Sequence, residues 1–134
     1  MADFPVVTTF PVLWGDLDAL GHVNNARYFT WFETARIEVA RRVGLDTTGQ
    51  GVGPVLASTQ CDYHKPVHYP GVVCVGVSVR AVGNTSVTME YAVWMEGHPE
   101  TLHARASSVL VLVDYKTLEK VRVPDAVRQA LSAL

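Results

Sequence analysis

Between residues 85 and 96 the chain alternates. Val87, Met89, Tyr91, Val93 and Met95 fall on one set of positions, and Ser86, Thr88, Glu90, Ala92 and Trp94 on the other. That period of two predicts a strand with one buried face. The stretch 72–82 repeats it, with Val73, Val75, Val77 and Val79 on one face and the small Cys74, Gly76 and Ser78 on the other. Residues 54–66 and 101–115 read as two further strands. The latter ends in Val109-Leu110-Val111-Leu112-Val113, apolar on both faces, which predicts a strand covered on both sides. Residues 6–13 are β-branched and apolar around Pro11, a residue that cannot donate to a ladder, so this strand belongs at an edge or carries a bulge. Pro70-Gly71, Gly83-Asn84 and Gly97-His98-Pro99-Glu100 punctuate the strands as turns. Residues 114–117 turn into a short strand at 118–123. Pro124 then opens a C-terminal helix over 125–134, as proline does at a first helical turn.

One stretch breaks this rhythm. Tyr28, Trp31, Phe32, Ala35, Val39 and Val43 recur at helical spacing. They predict a helix over 25–43, about five turns at 3.6 residues per turn. Asn24 or Asn25 is its expected N-cap, Arg36, Arg41 and Arg42 suit its C-terminal half, and Gly44 its C′ position. The order strand, long helix, then hairpin-joined strands gives an α+β domain: an antiparallel sheet with one helix on one face. One helix cannot cover both faces. A second subunit is therefore expected to lie against this sheet or to extend it.

Composition narrows the partners. The 134 residues make one domain spanning 1–134, and 49% hydrophobic content supplies a core without disulfide or metal. Net charge is −2 with no basic run, which argues against nucleic acid. Cys61 and Cys74 sit in apolar runs and read as free thiols of a reducing compartment. The start lacks the basic and apolar regions of a leader, and no apolar run nears the ~20 residues of a membrane helix. A soluble, cytoplasmic protein is expected.

Candidate chemistry gathers between Trp14 and Arg36. Asp16 and Asp18 precede a Gly21-His22-Val23-Asn24-Asn25 turn that enters the helix. N–H groups at a helix start are unpaired and polarise a carbonyl or hold an oxyanion. Asp18 lies close enough to act on the same carbonyl, directly or through water, and His22, Asn24 and Asn25 add donors. Each has a plainer role: the acids as turn caps, His22 as a loop histidine, the asparagines as N-caps. Glu33 either pairs with Arg36 along the helix or is a second carboxylate facing the site, and Trp31 and Phe32 belong to the core. Other chemistries fit poorly. His64 and His68 flank Pro66, which opposes a helix, and on a strand they would stand about 13 Å apart. Gly76-Val77-Ser78-Val79-Arg80 lacks the closing glycine of a nucleophile elbow, and no phosphate-binding glycine pattern occurs.

The pattern Asp18-x-x-Gly21-His22-Val23-Asn24-Asn25-x-x-Tyr28, followed by Phe32-Glu33-x-Ala35-Arg36, resembles the hotdog-fold acyl-CoA thioesterases of the 4-hydroxybenzoyl-CoA thioesterase-like branch. Asp62-Tyr63-x-x-Pro66-Val67 and Val111-x-Val113-Asp114 extend the resemblance over nearly the whole chain. It implies a curved antiparallel sheet of five to six strands wrapped around the long helix. It implies a homodimer, or a dimer-of-dimers homotetramer, with sites at the subunit interface. The activity it implies is hydrolysis of an acyl-CoA thioester, with no metal or redox cofactor. The family's catalytic aspartate falls on Asp18 and its carbonyl-polarising N–H on Asn25. His22 and Asn24 match the His-Val-Asn-Asn subgroup, where this loop shapes the pocket, and Tyr28 and Glu33 fall on the helix that borders it. Two rivals share the fold or the ligand: an enoyl-thioester hydratase using Asp18 and His22, and a non-catalytic acyl-CoA-binding module.

Overall fold

The computed structural model describes residues 3–134; Met1 and Ala2, on which the expectation of no leader partly rests, lie outside the described residues. Five antiparallel strands form one sheet: β1 (Val6–Pro11), β2 (Val52–Tyr63), β3 (Val72–Val82), β4 (Ser86–Met95) and β5 (Ala104–Asp114), in the order β1-β3-β4-β5-β2. The long helix α1 (Arg27–Arg42) packs on β1 and β3, so the sheet curves around it as the hotdog resemblance implies. A short helix α2 (Asp125–Ser132) closes the chain. Among the described residues no helix is long and apolar enough to cross a membrane.

The predicted inner face of β3 and β4 is the observed one. Val73, Val75, Val77, Val87, Met89, Tyr91 and Val93 are almost wholly buried under Tyr28, Trp31, Phe32, Ala35 and Val39 of α1. Phe32 stacks on Tyr91 with centroids 4.9 Å apart, a contact that adds to area burial. Pro11 ends β1, which is an edge strand pairing with β3 alone. The small residues on the outer face of β3 make room for a strap. Phe4 lies over Gly76, where an added Cβ would stand 2.5 Å from its ring. It stacks on Trp94 at 6.0 Å, above Cys74 and Ala92. Both cysteines are free thiols, Cys74 buried and Cys61 half-buried.

Three expectations need correction. The helix begins at Arg27 and ends at Arg42, because the Asn24 side chain accepts from the Ala26 N–H at 2.9 Å and folds the chain into a turn. Ala26, not an asparagine, is the N-cap. Gly44 does sit just beyond the helix, with φ +84°. The expected strand at 118–123 is a strap held by one bridge, Val113 to Lys120, since Leu118 turns the chain at φ 60°. Among the described residues the sheet therefore has five strands, the lower of the two expected numbers.

The third correction concerns β2. It starts at Val52 and stops at Tyr63, and a bulge between Leu56 and Ser58 interrupts its pairing with β5. Leu56 faces the same side as Leu110, yet after the bulge Thr59, Cys61 and Tyr63 are the residues opposite Ser108, Ala106 and Ala104. One extra residue, Ala57, thus reverses the alternation. β2 forms the other edge of the sheet, and its inner face is covered toward both ends, where Val52 and Cys61 pack on the core and Tyr63 meets Tyr28, but open around the bulge, where Leu56 is 45% exposed.

Candidate active site

The loop between β1 and α1 is built by its two acids in different ways. Asp16 is buried. Its Oδ2 accepts the Leu13 N–H at 2.8 Å, its Oδ1 lies 3.1 Å from Arg27 Nε, and its carbonyl accepts the Asn24 N–H at 2.9 Å. This residue fastens the loop to the helix start. Asp18 sits two residues on in a tight excursion whose stem is the Leu17–Val23 bridge. The Asp18 N–H donates to the His22 carbonyl at 2.8 Å and Gly21 N–H returns to the Asp18 carbonyl at 3.1 Å. Gly21, at φ +81°, makes that return possible. Asp18 Oδ1 accepts the Leu20 N–H at 2.9 Å, and among the described residues no hydrogen bond engages Oδ2.

Asp18 opens onto a cavity of about 330 Å³ that it shares with His22, Asn25, Tyr28, Tyr63 and Lys65. Two hydrogen bonds fix the peptides on either side of Asn25. The Asn24 carbonyl accepts the Arg27 N–H at 2.9 Å, and the Asn25 carbonyl accepts the Tyr63 hydroxyl at 2.7 Å. Among the described residues the Asn25 N–H itself makes no hydrogen bond, as befits a donor at a helix entrance. Tyr28 and Tyr63 meet edge to face at 4.9 Å and close one side of the cavity. Burial raises both phenols above their ordinary pKa, with Cys61 adding to the effect, so both stay protonated at neutral pH. His22 meets His68 edge to face at 5.9 Å at the rim.

Four of the six residues singled out from the sequence therefore come together: Asp18, His22, Asn25 and Tyr28. Asn24 does not line this cavity; it borders a smaller one, of about 280 Å³, with Asp16 and Arg27. Glu33 is exposed on α1, 3.9 Å from Arg36. A larger hollow of about 510 Å³ between α2 and β3 carries Arg80 and Arg128 but no acidic or histidine side chain, so acid–base chemistry points to the smaller one. Tyr63 was visible in the sequence only as part of a motif, because the bulge upstream hides which way it faces. Among the described residues no three His, Cys, Asp or Glu side chains converge as a metal site would.

Comparison with known proteins adds an independent line. A family model described as thioesterase-like superfamily matches residues 12–131. The uncharacterized protein YsmA of Bacillus subtilis is 33% identical over 89 residues, covering 66% of this chain and 60% of that protein. The chain thus spans less than two thirds of the length of that relative. The crystal structure of a thioesterase from Thermus thermophilus, complexed with coenzyme A and zinc, is 32% identical with a TM-score of 0.85, covering 99% of this chain and 96% of that one. The PA5185 protein of Pseudomonas aeruginosa PAO1 is 34% identical with a TM-score of 0.87, covering 98% and 92%.

Proposed function

The chain belongs to the thioesterase-like superfamily, and from that premise we propose that it hydrolyses an acyl-CoA thioester to the free acid and CoA. The observation that carries the reading is the shared cavity, lined both by Asp18, a carboxylate with a free oxygen, and by Asn25, whose N–H at the helix entrance is unengaged. Asp18 Oδ2 either adds to the thioester carbonyl carbon or takes a proton from the water that adds. The carbonyl oxygen becomes negative in both routes, and the Asn25 N–H stabilises it with a preorganised dipole. Collapse breaks the C–S bond and the CoA thiolate leaves. In the first route water then cleaves the acyl–Asp18 anhydride and regenerates the carboxylate. His22 stands beside Asp18 as a donor to the departing sulfur, and Tyr28 is a wall of the acyl site. Lys65, on the same cavity, is the cation placed to meet CoA phosphates. Asn24 and Glu33, also expected to bind substrate, do not line this cavity within one protomer.

The open edge of β2 and the exposed apolar residues Val55 and Leu56 at its bulge support a homodimer, or a pair of dimers, in which a second copy completes the sheet and the acyl site. The deciding experiment is thiol release from short, long and aromatic acyl-CoAs, with Asp18→Asn beside the native chain. Turnover on one class that collapses in the variant is expected. Binding of acyl-CoA with no turnover on any substrate would replace the reading with a binding module. Hydration of crotonyl-CoA with the thioester intact would make the protein a hydratase.

A further inference from the structure

We infer that Tyr63 is a positioning residue for the oxyanion donor: its hydroxyl, through the Asn25 carbonyl, holds the helix-entrance peptide in the orientation that aims the Asn25 N–H at the substrate. The inference rests on the thioesterase reading and adds a residue to it. Asn25 stands between two peptide planes. The Arg27 N–H, 2.9 Å from the Asn24 carbonyl, fixes the plane that carries the Asn25 N–H. The plane on the other side carries the Asn25 carbonyl, and Tyr63 is the side chain from outside the loop and helix that reaches it, at 2.7 Å. With both planes held, rotation about the bonds of Asn25 is blocked and the donor is fixed before substrate arrives.

Tyr63 is suited to this task by where it is anchored. It is the last residue of β2, paired with Ala104 of β5. The next two N–H groups, of His64 and Lys65, both donate to the His103 carbonyl at 2.8 and 3.0 Å. Its ring is braced edge-on by Tyr28. The hydroxyl is thus referenced to the sheet, whereas the loop carrying Asp18 and Asn25 is otherwise stapled mainly to itself and to α1. The Val23 N–H, 3.3 Å from the Val67 carbonyl, is the longer bond that runs the same way.

Tyr63→Phe tests this, because it removes one oxygen and keeps the ring. Loss of an entire oxyanion donor costs about 100- to 1,000-fold in kcat. A donor that remains but is free to swing loses less, and about a ten-fold fall in kcat is expected with KM within about two-fold. A ketone analogue of the acyl-CoA, which forms an oxyanion-like adduct, should bind about ten-fold more weakly to the variant, and a thioether analogue, which cannot, should bind unchanged. Amide exchange read by NMR on the resting protein should quicken at Ala26 and Arg27, whose N–H groups donate to Asn24. Unchanged kcat, or unchanged exchange at those two amides, would overturn the inference. So would a fall beyond about 1,000-fold with both analogues unaffected, which would put the hydroxyl on the reacting atoms. If the native chain hydrolyses no thioester, the thioesterase reading fails on its own, and the exchange measurement still decides whether Tyr63 holds this peptide.

Discussion

Asp16 and Asp18 are two residues apart, chemically identical, and should fail in opposite ways. Asp16→Ala removes the acceptor of the part-buried Leu13 N–H and the partner of Arg27. A lost cap of this kind costs about 1–2 kcal/mol. The ion pair adds less than about 1 kcal/mol, because Arg27 is half exposed and water screens it. The expected loss is about 2 kcal/mol. An unfolding entropy of about 2.1 cal/mol/K per residue gives this chain about 0.28 kcal/mol/K, so Tm should fall by about 7 °C. Activity per folded molecule at low temperature should fall much less. Asp18→Asn keeps an Oδ1 to accept the Leu20 N–H, so Tm should stay within about 2 °C. On the proposed mechanism the same change removes the nucleophile or base, and kcat should fall at least about 100-fold, or about 2.7 kcal/mol in the barrier. Differential scanning fluorimetry and thiol release on both variants make the test. An Asp18 variant that loses stability but retains its rate, or an Asp16 variant that does the reverse, would refute this division of labour.

Three further outcomes follow from the structure. Lys65→Ala should raise KM for acyl-CoA about three- to ten-fold with little change in kcat, and the difference should shrink in high salt, as a phosphate contact requires; a salt-independent effect would contradict that role. Burial, with Lys65, His68 and His98 adding repulsion, holds the His103 imidazole below its ordinary pKa. The unfolded chain therefore takes up that proton first, so the stability His103 contributes is present above about pH 6.5 and is lost as pH falls through its folded value; His103→Gln should flatten the Tm–pH slope in that window. Gly76→Val should displace Phe4 from Trp94, red-shift tryptophan emission and cost about 1–3 kcal/mol in chemical denaturation, with an unchanged spectrum counting against the strap.

The sheet was legible in the sequence because its inner positions are valines at strict period two: Val73, Val75 and Val77 could not all be buried any other way. The helix face from Tyr28 to Val39 was legible for the same reason at the helical period. What failed to show were features decided by single backbone choices. The Asn24 side chain satisfies Ala26 rather than a group deeper in the helix, and the helix starts late. Leu118 takes a positive φ that leucine rarely adopts, and a strand becomes a strap. At the site, Asp18, His22 and Asn25 could be placed together because loop length alone keeps them close. Tyr63 could not, since nothing in the order of side chains marks Ala57 as an extra residue.

That extra residue bears on how the gene can change length. A regular strand counts in pairs, so gaining or losing one residue ahead of Tyr63 would send its ring through the sheet to the opposite side. β2 already holds one surplus position. A single-codon deletion near Ala57 can straighten the bulge and leave every pair from Ser58–Val109 to Tyr63–Ala104 as it stands. A single-codon insertion there has no slack to absorb it. Length variation in this strand is therefore one-sided: shorter by one is compatible with the tether to Asn25, and longer by one demands a second irregularity to restore it.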